Sequence, residues 1–312
     1  MSPVSLSKEH RLIVVTRSDR VDIYYLTASD DPQGIEERDE SKCLIKTISI
    51  KSPFNLNCST ISDDGKFLAV SDASRLYVFS LNQRKVGGNL ELDPTKVYLS
   101  KECRRPSTAL QFDATQRLIC ASADGAINVL QLSQSQDALS YNVSLEHTFK
   151  EHLSSAEPSA QNYAIVSLDI SPDGKWLAMM RFSHKKGAVQ AFSLAPFEHW
   201  WSLPEVEATS TCIKFLEEGS LAIGCSNNSF YIFNIVRREL SNWSHDMGLP
   251  IVKSLPKELT SRSEPIARIL STPLLHQKLI LVSLLHGNWT VFYWFVLSIL
   301  CLFRAHMDSS VL

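Results

Sequence analysis

Any chemistry in this chain would have to come from seven cysteines, nine histidines and three basic doublets. The cysteines stand at 43, 58, 103, 120, 212, 225 and 301, and no two form a C-x-x-C pair. A structural zinc site needs paired thiolates, or thiolates with histidines close by, and neither spacing occurs. Cys58, Cys120 and Cys225 lie in or beside apolar runs, where a thiol behaves as a small hydrophobe. The expectation is reduced core cysteines in a cytosolic or nuclear protein. His147 and His152 come closest to a histidine cluster, but they fall in a polar connector that reads as a solvated loop. No G-x-S-x-G, H-E-x-x-H, P-loop or Rossmann glycine pattern is present. The sequence therefore assigns no catalytic residue, no cofactor site and no metal site, and it reads as a non-enzyme.

The basic doublets Arg104-Arg105, Lys185-Lys186 and Arg237-Arg238 sit beside or within turns. Guanidinium and ammonium groups both bind phosphate oxygens, so one reading is phosphate contact by a loop. The simpler reading is ordinary surface charge. No aromatic residue interleaves with the doublets to stack a base, which favours the simpler one. Over the whole chain 31 basic residues face 33 acidic ones, for a net charge of −2, so a broad basic face for nucleic acid is not expected. Any RNA contact should be local or made through partner proteins. With 44% of residues apolar and 21% charged, the chain can bury a sizeable core. The start, MSPVSLSKEHRLIVV, is not laid out as a cleavable signal. The N-x-S/T triplets at Asn57, Asn142, Asn227, Asn242 and Asn288 then have no secretory context.

What must position these residues is a repeat. Six stretches share one grammar, a short apolar run, a turn and a second short apolar run. They are RLIVVTRSDRVDIYYL (11–26), KFLAVSDASRLYVFSL (66–81), RLICASADGAINVLQL (117–132), KWLAMMRFSHKKGAVQAFSL (175–194), SLAIGCSNNSFYIFNI (220–235) and KLILVSLLHGNWTVFYW (278–294). Aligned on Leu12, Leu68, Leu118, Leu177, Leu221 and Leu279, they fall 44 to 59 residues apart. Four carry another apolar segment just upstream, ended by a turn: STISDDG (59–65), ALQFDAT (109–115), VSLDISPDG (166–174) and CIKFLEEG (212–219).

Asp64-Gly65, Asp173-Gly174 and Glu218-Gly219 put a residue tolerant of positive φ where antiparallel strands must reverse. Asp124-Gly125, Asn227-Asn228 and Gly287-Asn288 do the same at the second reversal. Strands so short and so continuously apolar suit burial on both faces. A unit of about 40–45 residues with four strands, stacked on its neighbours, is a propeller blade. Candidate fourth strands are CLIKTISI (43–50), KVGGNLEL (85–92), SYNVSLEHTF (140–149) and RRELSNW (237–243), with polar loops such as 28–42 and 133–163 between units. No helical period of useful length occurs in 1–270. The first unit begins at its second strand and the last lacks a clear fourth one, so the array reads as incomplete at both ends.

The blade grammar resembles WD-repeat proteins, although no unit carries the Gly-His or Trp-Asp dipeptides. The Phe-Arg-Arg-Gly signature of lipid-binding propellers is also absent. Closer likeness lies in HRLIVVTRSDRVDIYYL, in SPDGKWLA, in RRELSNWS (237–244) and above all in LPKELTSRSEPIARI (255–269). These segments resemble the cirhin family, the U3 small nucleolar RNA-associated protein 4 family of the nucleolar small-subunit processome. Leu259, Arg262, Pro265 and Ile266 match the family's Leu-x-x-Arg-x-x-Pro-Ile element. The likeness covers about 1–270 and falls on the second of the family's two tandem seven-bladed propellers.

The resemblance implies an all-β, WD-repeat-like β-propeller over 1–294 and a divergent apolar tail over 295–312. It also implies a non-catalytic scaffold for pre-18S rRNA processing in the nucleus and nucleolus, and in some members support of rDNA transcription. Implied partners are other early processome proteins, the 5′ external spacer of pre-rRNA and the U3 particle, reached indirectly or by local contacts. No small-molecule substrate is implied. The alternatives are a WD-repeat adaptor of an unrelated complex and a tail-anchored membrane protein. The last rests on WTVFYWFVLSILCLF (289–303), which carries no charge. As a helix it would reach about 22 Å, short of the ~30 Å hydrocarbon core. The segment reads instead as a last repeat strand followed by an apolar end.

Overall fold

A computed structural model describes residues 4–7, 9–25, 44–86, 89–135, 141–150, 165–182, 187–206, 208–216, 219–227, 229–241 and 244, and the backbone of 266–272 and 279–284. The fold is all-β, built of consecutive four-stranded antiparallel sheets of the WD-repeat-like blade type. The chain divides into two compact units, Met1–Leu168 and Asp169–Leu312.

The first unit holds three sheets. The first comprises β1 (Val4–Ser7), β2 (Leu12–Thr16), β3 (Arg20–Tyr25) and β4 (Leu44–Ser49). The second comprises β5 (Leu56–Ile61), β6 (Phe67–Asp72), β7 (Leu76–Val86) and β8 (Asn89–Val97), and the third β9 (Ser107–Phe112), β10 (Arg117–Ser122), β11 (Ile127–Gln134) and β12 (Tyr141–Phe149). The fourth sheet begins at the division with β13 (Ile165–Ile170) and continues through β14 (Trp176–Phe182), β15 (Gly187–Leu194) and β16 (Phe197–Ser202). β17 (Ser210–Phe215), β18 (Ser220–Cys225), β19 (Phe230–Asn234) and β20 (Glu239–Leu240) form the fifth. β21 (Ile266–Thr272) pairs with β22 (Leu279–Leu284).

The continuous apolar runs have a physical reason. In β6 successive side chains point to opposite faces of the sheet. Phe67 and Ala69 enter the core shared with Leu110, Leu118 and Leu130 of the third sheet. Leu68 and Val70 enter the core shared with Leu12, Val14 and Ile23 of the first. All four are completely buried, because a neighbouring sheet covers each face. Burying such a Leu, Val or Phe side chain contributes about 1.5–3 kcal/mol, so the stacking of sheets, not any one hairpin, holds the unit together.

The structure corrects several expectations. The first sheet is complete: β1 pairs with β2 through Leu6↔Ile13 and Ser7↔Leu12. Its VSLS sequence is too short and too rich in hydroxyls to register as an apolar run. Ser7 is fully buried nonetheless, because its hydroxyl donates to the Asp63 carbonyl at 2.7 Å. The segment 85–92 is not one strand but the junction of two, since Val86 pairs with Asn89 across Gly87-Gly88. His147 is not in a loop; it lies in β12, half-buried, with its ring edge-on to Phe149 at 4.6 Å. The outer strand of the fourth sheet, β16, had no sequence counterpart among the expected strands. The 28–42 loop, His152 and the segment 289–312 lie outside the described residues.

Candidate partner-contact surface

The ends of the hairpins repeat atom for atom. In Ser62–Phe67 the Ser62 hydroxyl donates to Asp64 Oδ1 at 2.6 Å and accepts the Phe67 amide at 2.9 Å. In Ser171–Trp176 the corresponding bonds are Ser171 to Asp173 Oδ1 at 2.5 Å and the Trp176 amide to Ser171 at 2.9 Å. Gly65 and Gly174 take φ of 64° and 69° there, a region nearly free of strain only for glycine. Burial raises the pKa of Asp64 and Asp173, but hydrogen bonds from the serine hydroxyl and the following lysine amide outweigh it, so both sit below the usual carboxylate value. In the third sheet the same reversal is closed by Gln116 at φ 62°. Side-chain oxygens also close the second reversals, Asp72 on the amides of Ser74 and Arg75 and Asn227 on the amide of Ser229.

The carboxylates buried in this scaffold are fully engaged in structural bonds. Asp113 Oδ2 accepts from Arg117 Nε at 2.6 Å, and Asp113 Oδ1 takes the amides of Thr115 and Arg117. Asp72 accepts from Ser52, Ser74 and Tyr77 as well as from two amides. Among the described residues no three His, Cys, Asp or Glu converge on a metal-sized site. Cys58, Cys103, Cys120, Cys212 and Cys225 are buried and free. Burial pushes the Cys58 thiol up to about 12 and that of Cys212 up to about 11. Thiols held so far from ionisation are poor nucleophiles and poor metal ligands.

What remains for contact with partners is aromatic and cationic surface. In the second unit a groove of about 300 Å³ is lined by Trp201, Pro204, Val206, Tyr231, Phe233 and Leu240, with Glu205, Arg238 and Glu239 at its polar edge. Trp200 is the unpaired residue of a β-bulge, since Ala191 pairs with Trp201 and Phe192 with His199. The bulge turns two consecutive tryptophans toward the same neighbour. Trp200 Nε1 donates to the Ile235 carbonyl at 2.9 Å, and the Trp201 ring stands edge-on to Phe233 at 6.0 Å.

The doublets named from the sequence separate in the structure. Arg238 lies 4.1 Å from the centre of the Trp200 ring, and Arg237 pairs with Glu239 at 3.6 Å. Arg104 donates to the Leu99 carbonyl at 2.9 Å and lies 5.8 Å from the centre of the Tyr98 ring. Lys185-Lys186 lies outside the described residues. Sequence reasoning missed the aromatic partners because Trp200 and Tyr98 are distant from their arginines in the chain or across a turn. The FEHWWS segment was a usable signal, but strand alternation alone would send its two tryptophans to opposite faces.

No protein-family model matches the chain. It is similar to the U3 small nucleolar RNA-associated protein 4 homolog of Mus musculus, 23% identical over 252 residues, which is 78% of this chain and 34% of that protein. The Homo sapiens protein of the same name is 23% identical over 255 residues, 77% of this chain and 33% of that protein. The chain thus spans about a third of the length of the curated relatives it matches.

Proposed function

We propose that this chain is a non-catalytic scaffold of ribosomal small-subunit assembly, acting in the nucleolus with early processome proteins, the U3 particle and the 5′ external spacer of pre-rRNA. The observation that carries the reading is the similarity to proteins named as U3 small nucleolar RNA-associated, which runs through 78% of the chain and so through most of its repeats. In this reading the buried Asp72, Asp113 and Cys58, among the described residues, have structural roles, the two acids bonded in turns and the thiol held neutral by burial. Stacked sheets suit a scaffold because their ends and grooves are rigid before any partner arrives, which keeps the ordering cost of binding small.

Affinity purification of the tagged chain, with RNA sequencing and mass spectrometry of what it retains, tests the reading. Recovery of U3 RNA, 5′ spacer RNA and other early processome proteins is the expected result. Recovery of membrane or ubiquitin-ligase components alone would overturn it.

A further inference from the structure

The end of the second sheet where β5 begins, β6 turns into β7 and β8 finishes gathers cations around two tyrosines. Tyr77 is buried at 4% exposure, and its ring is flanked by Arg75 at 5.1 Å and Lys96 at 5.3 Å from the centroid. Its hydroxyl donates to Asp72 Oδ2 at 2.9 Å and accepts from Arg75 Nε at 2.8 Å, which fixes the Arg75 guanidinium. Just past β8, Tyr98 is 79% exposed, more than the other exposed large hydrophobics among the described residues. The Arg104 guanidinium sits 5.8 Å from its ring centre, held there by the bond to the Leu99 carbonyl. Lys96, two residues before Tyr98, and Arg105, next to Arg104 in the chain, are exposed. Acids also stand at this end: Asp72, buried and saturated with hydrogen bonds, the exposed Glu102, and the exposed Asp19, whose neighbour Ser18 accepts the Leu56 amide.

An exposed aromatic ring with a held guanidinium beside it matches an unpaired nucleotide. The base stacks on the ring while the cations meet the phosphates on either side. A duplex fits poorly, because its bases are already stacked and its grooves present no open face. The chain's net charge of −2 does not oppose this, since the contact is local. We propose that Tyr98, with Arg104 at its ring and the exposed Lys96 and Arg105 close to the pair in the chain, is a stacking site for single-stranded RNA. The inference deepens the reading above and rests on it for the choice of RNA over another phosphate-bearing ligand.

The test is fluorescence anisotropy of the full 312-residue chain with a labelled 12-nucleotide single-stranded RNA, titrated at several salt concentrations. Tyr98→Ala should weaken binding roughly ten-fold or more, the loss of one stacking platform, whereas Tyr98→Phe should bind as the parent does. Lys96→Gln and Arg105→Gln should each flatten the dependence of log affinity on log salt by about 0.7, the single-strand value for one phosphate contact. A duplex of the same sequence should compete weakly. The proposal is overturned if no RNA binds at low salt, if Tyr98→Ala binds unchanged, or if only anionic vesicles or a phosphopeptide bind. The two readings fail separately. If Tyr98→Ala binds the oligonucleotide unchanged while the tagged chain still recovers U3 RNA, the stacking site is wrong and the scaffold stands. If the oligonucleotide needs Tyr98 but no processome component is recovered, the reverse holds.

Discussion

Lys214 on β17 places its ammonium 2.5 Å from Oδ1 of Asp169 on β13, and the other oxygen of that carboxylate accepts the Phe215 amide at 2.6 Å. One side chain thus ties the first strand of the fourth sheet to the first strand of the fifth. Both partners are largely withdrawn from water, with side-chain exposures of 15% for Lys214 and 4% for Asp169. At such a site the pair matters less than the cost of breaking it, because the survivor is a buried charge without a counterion.

Asp169→Ala should therefore destabilise the protein by about 3–5 kcal/mol, whereas the double replacement Asp169→Leu with Lys214→Met should recover much of that loss. Urea unfolding midpoints at pH 7 give both values. A loss in the single variant no greater than that of an exposed pair, about 0–1 kcal/mol, would show that the sheets are joined by packing alone.

Two glycines should respond differently to alanine. Gly174 sits at φ 69° with no heavy atom within 4 Å of where a Cβ would lie, so only the backbone conformation resists. The expected cost is about 1–2 kcal/mol. At Gly187 φ is not positive, but the added Cβ would stand 2.8 Å from the Ser210 carbonyl oxygen, which is backbone and cannot swing aside. Gly187→Ala must push β15 away from β17, and it should lower the thermal midpoint more than Gly174→Ala does.

Acid should unfold this protein in part through Asp72. Burial raises that carboxyl, but bonds from the Ser52 and Ser74 hydroxyls and from the Arg75 and Ser74 amides more than offset it and bring it to about 2. A pKa lower in the folded than in the unfolded chain means stability that is fully present above pH ~4 and lost as pH falls toward 2. Asp72→Asn should flatten the decline of stability across that window, measured by thermal melts at half-unit steps of pH.

The five described cysteines should be unreactive in the native state. Iodoacetamide at pH 8 should leave Cys58, Cys103, Cys120, Cys212 and Cys225 unlabelled, since all are buried, and label them after denaturation. Peptide mass spectrometry reads the difference site by site. Native labelling of Cys58 or Cys212, whose thiols burial holds at about 12 and about 11, would mean that the sheets around them open.

Much of the fold was legible because central strands such as β6 are covered on both faces and so carry unbroken apolar runs, as Phe67 to Val70 do. The reversals were legible because Asp64-Gly65 and Asp173-Gly174 offer both the positive φ and the carboxylate that closes the turn. The edges were not. β1 hides behind serines that are polar in composition yet buried once Ser7 has a carbonyl to bond. β16 (Phe197–Ser202) was missed as well, whereas β4, β12 and β20 fall within the expected fourth strands 43–50, 140–149 and 237–243.

The contact surfaces divide the same way. The amino-acid order settled which segments become strands and where they reverse, because those outcomes depend on neighbours a few residues apart. It also located the arginine doublets, but not their surroundings. Tertiary structure alone put Arg238 over Trp200, 38 residues away in the chain, and left Tyr98 open beside Arg104. A bulge in β16 and the packing of one connector decided those neighbours, and both are set by contacts between sheets that no local pattern of residues encodes.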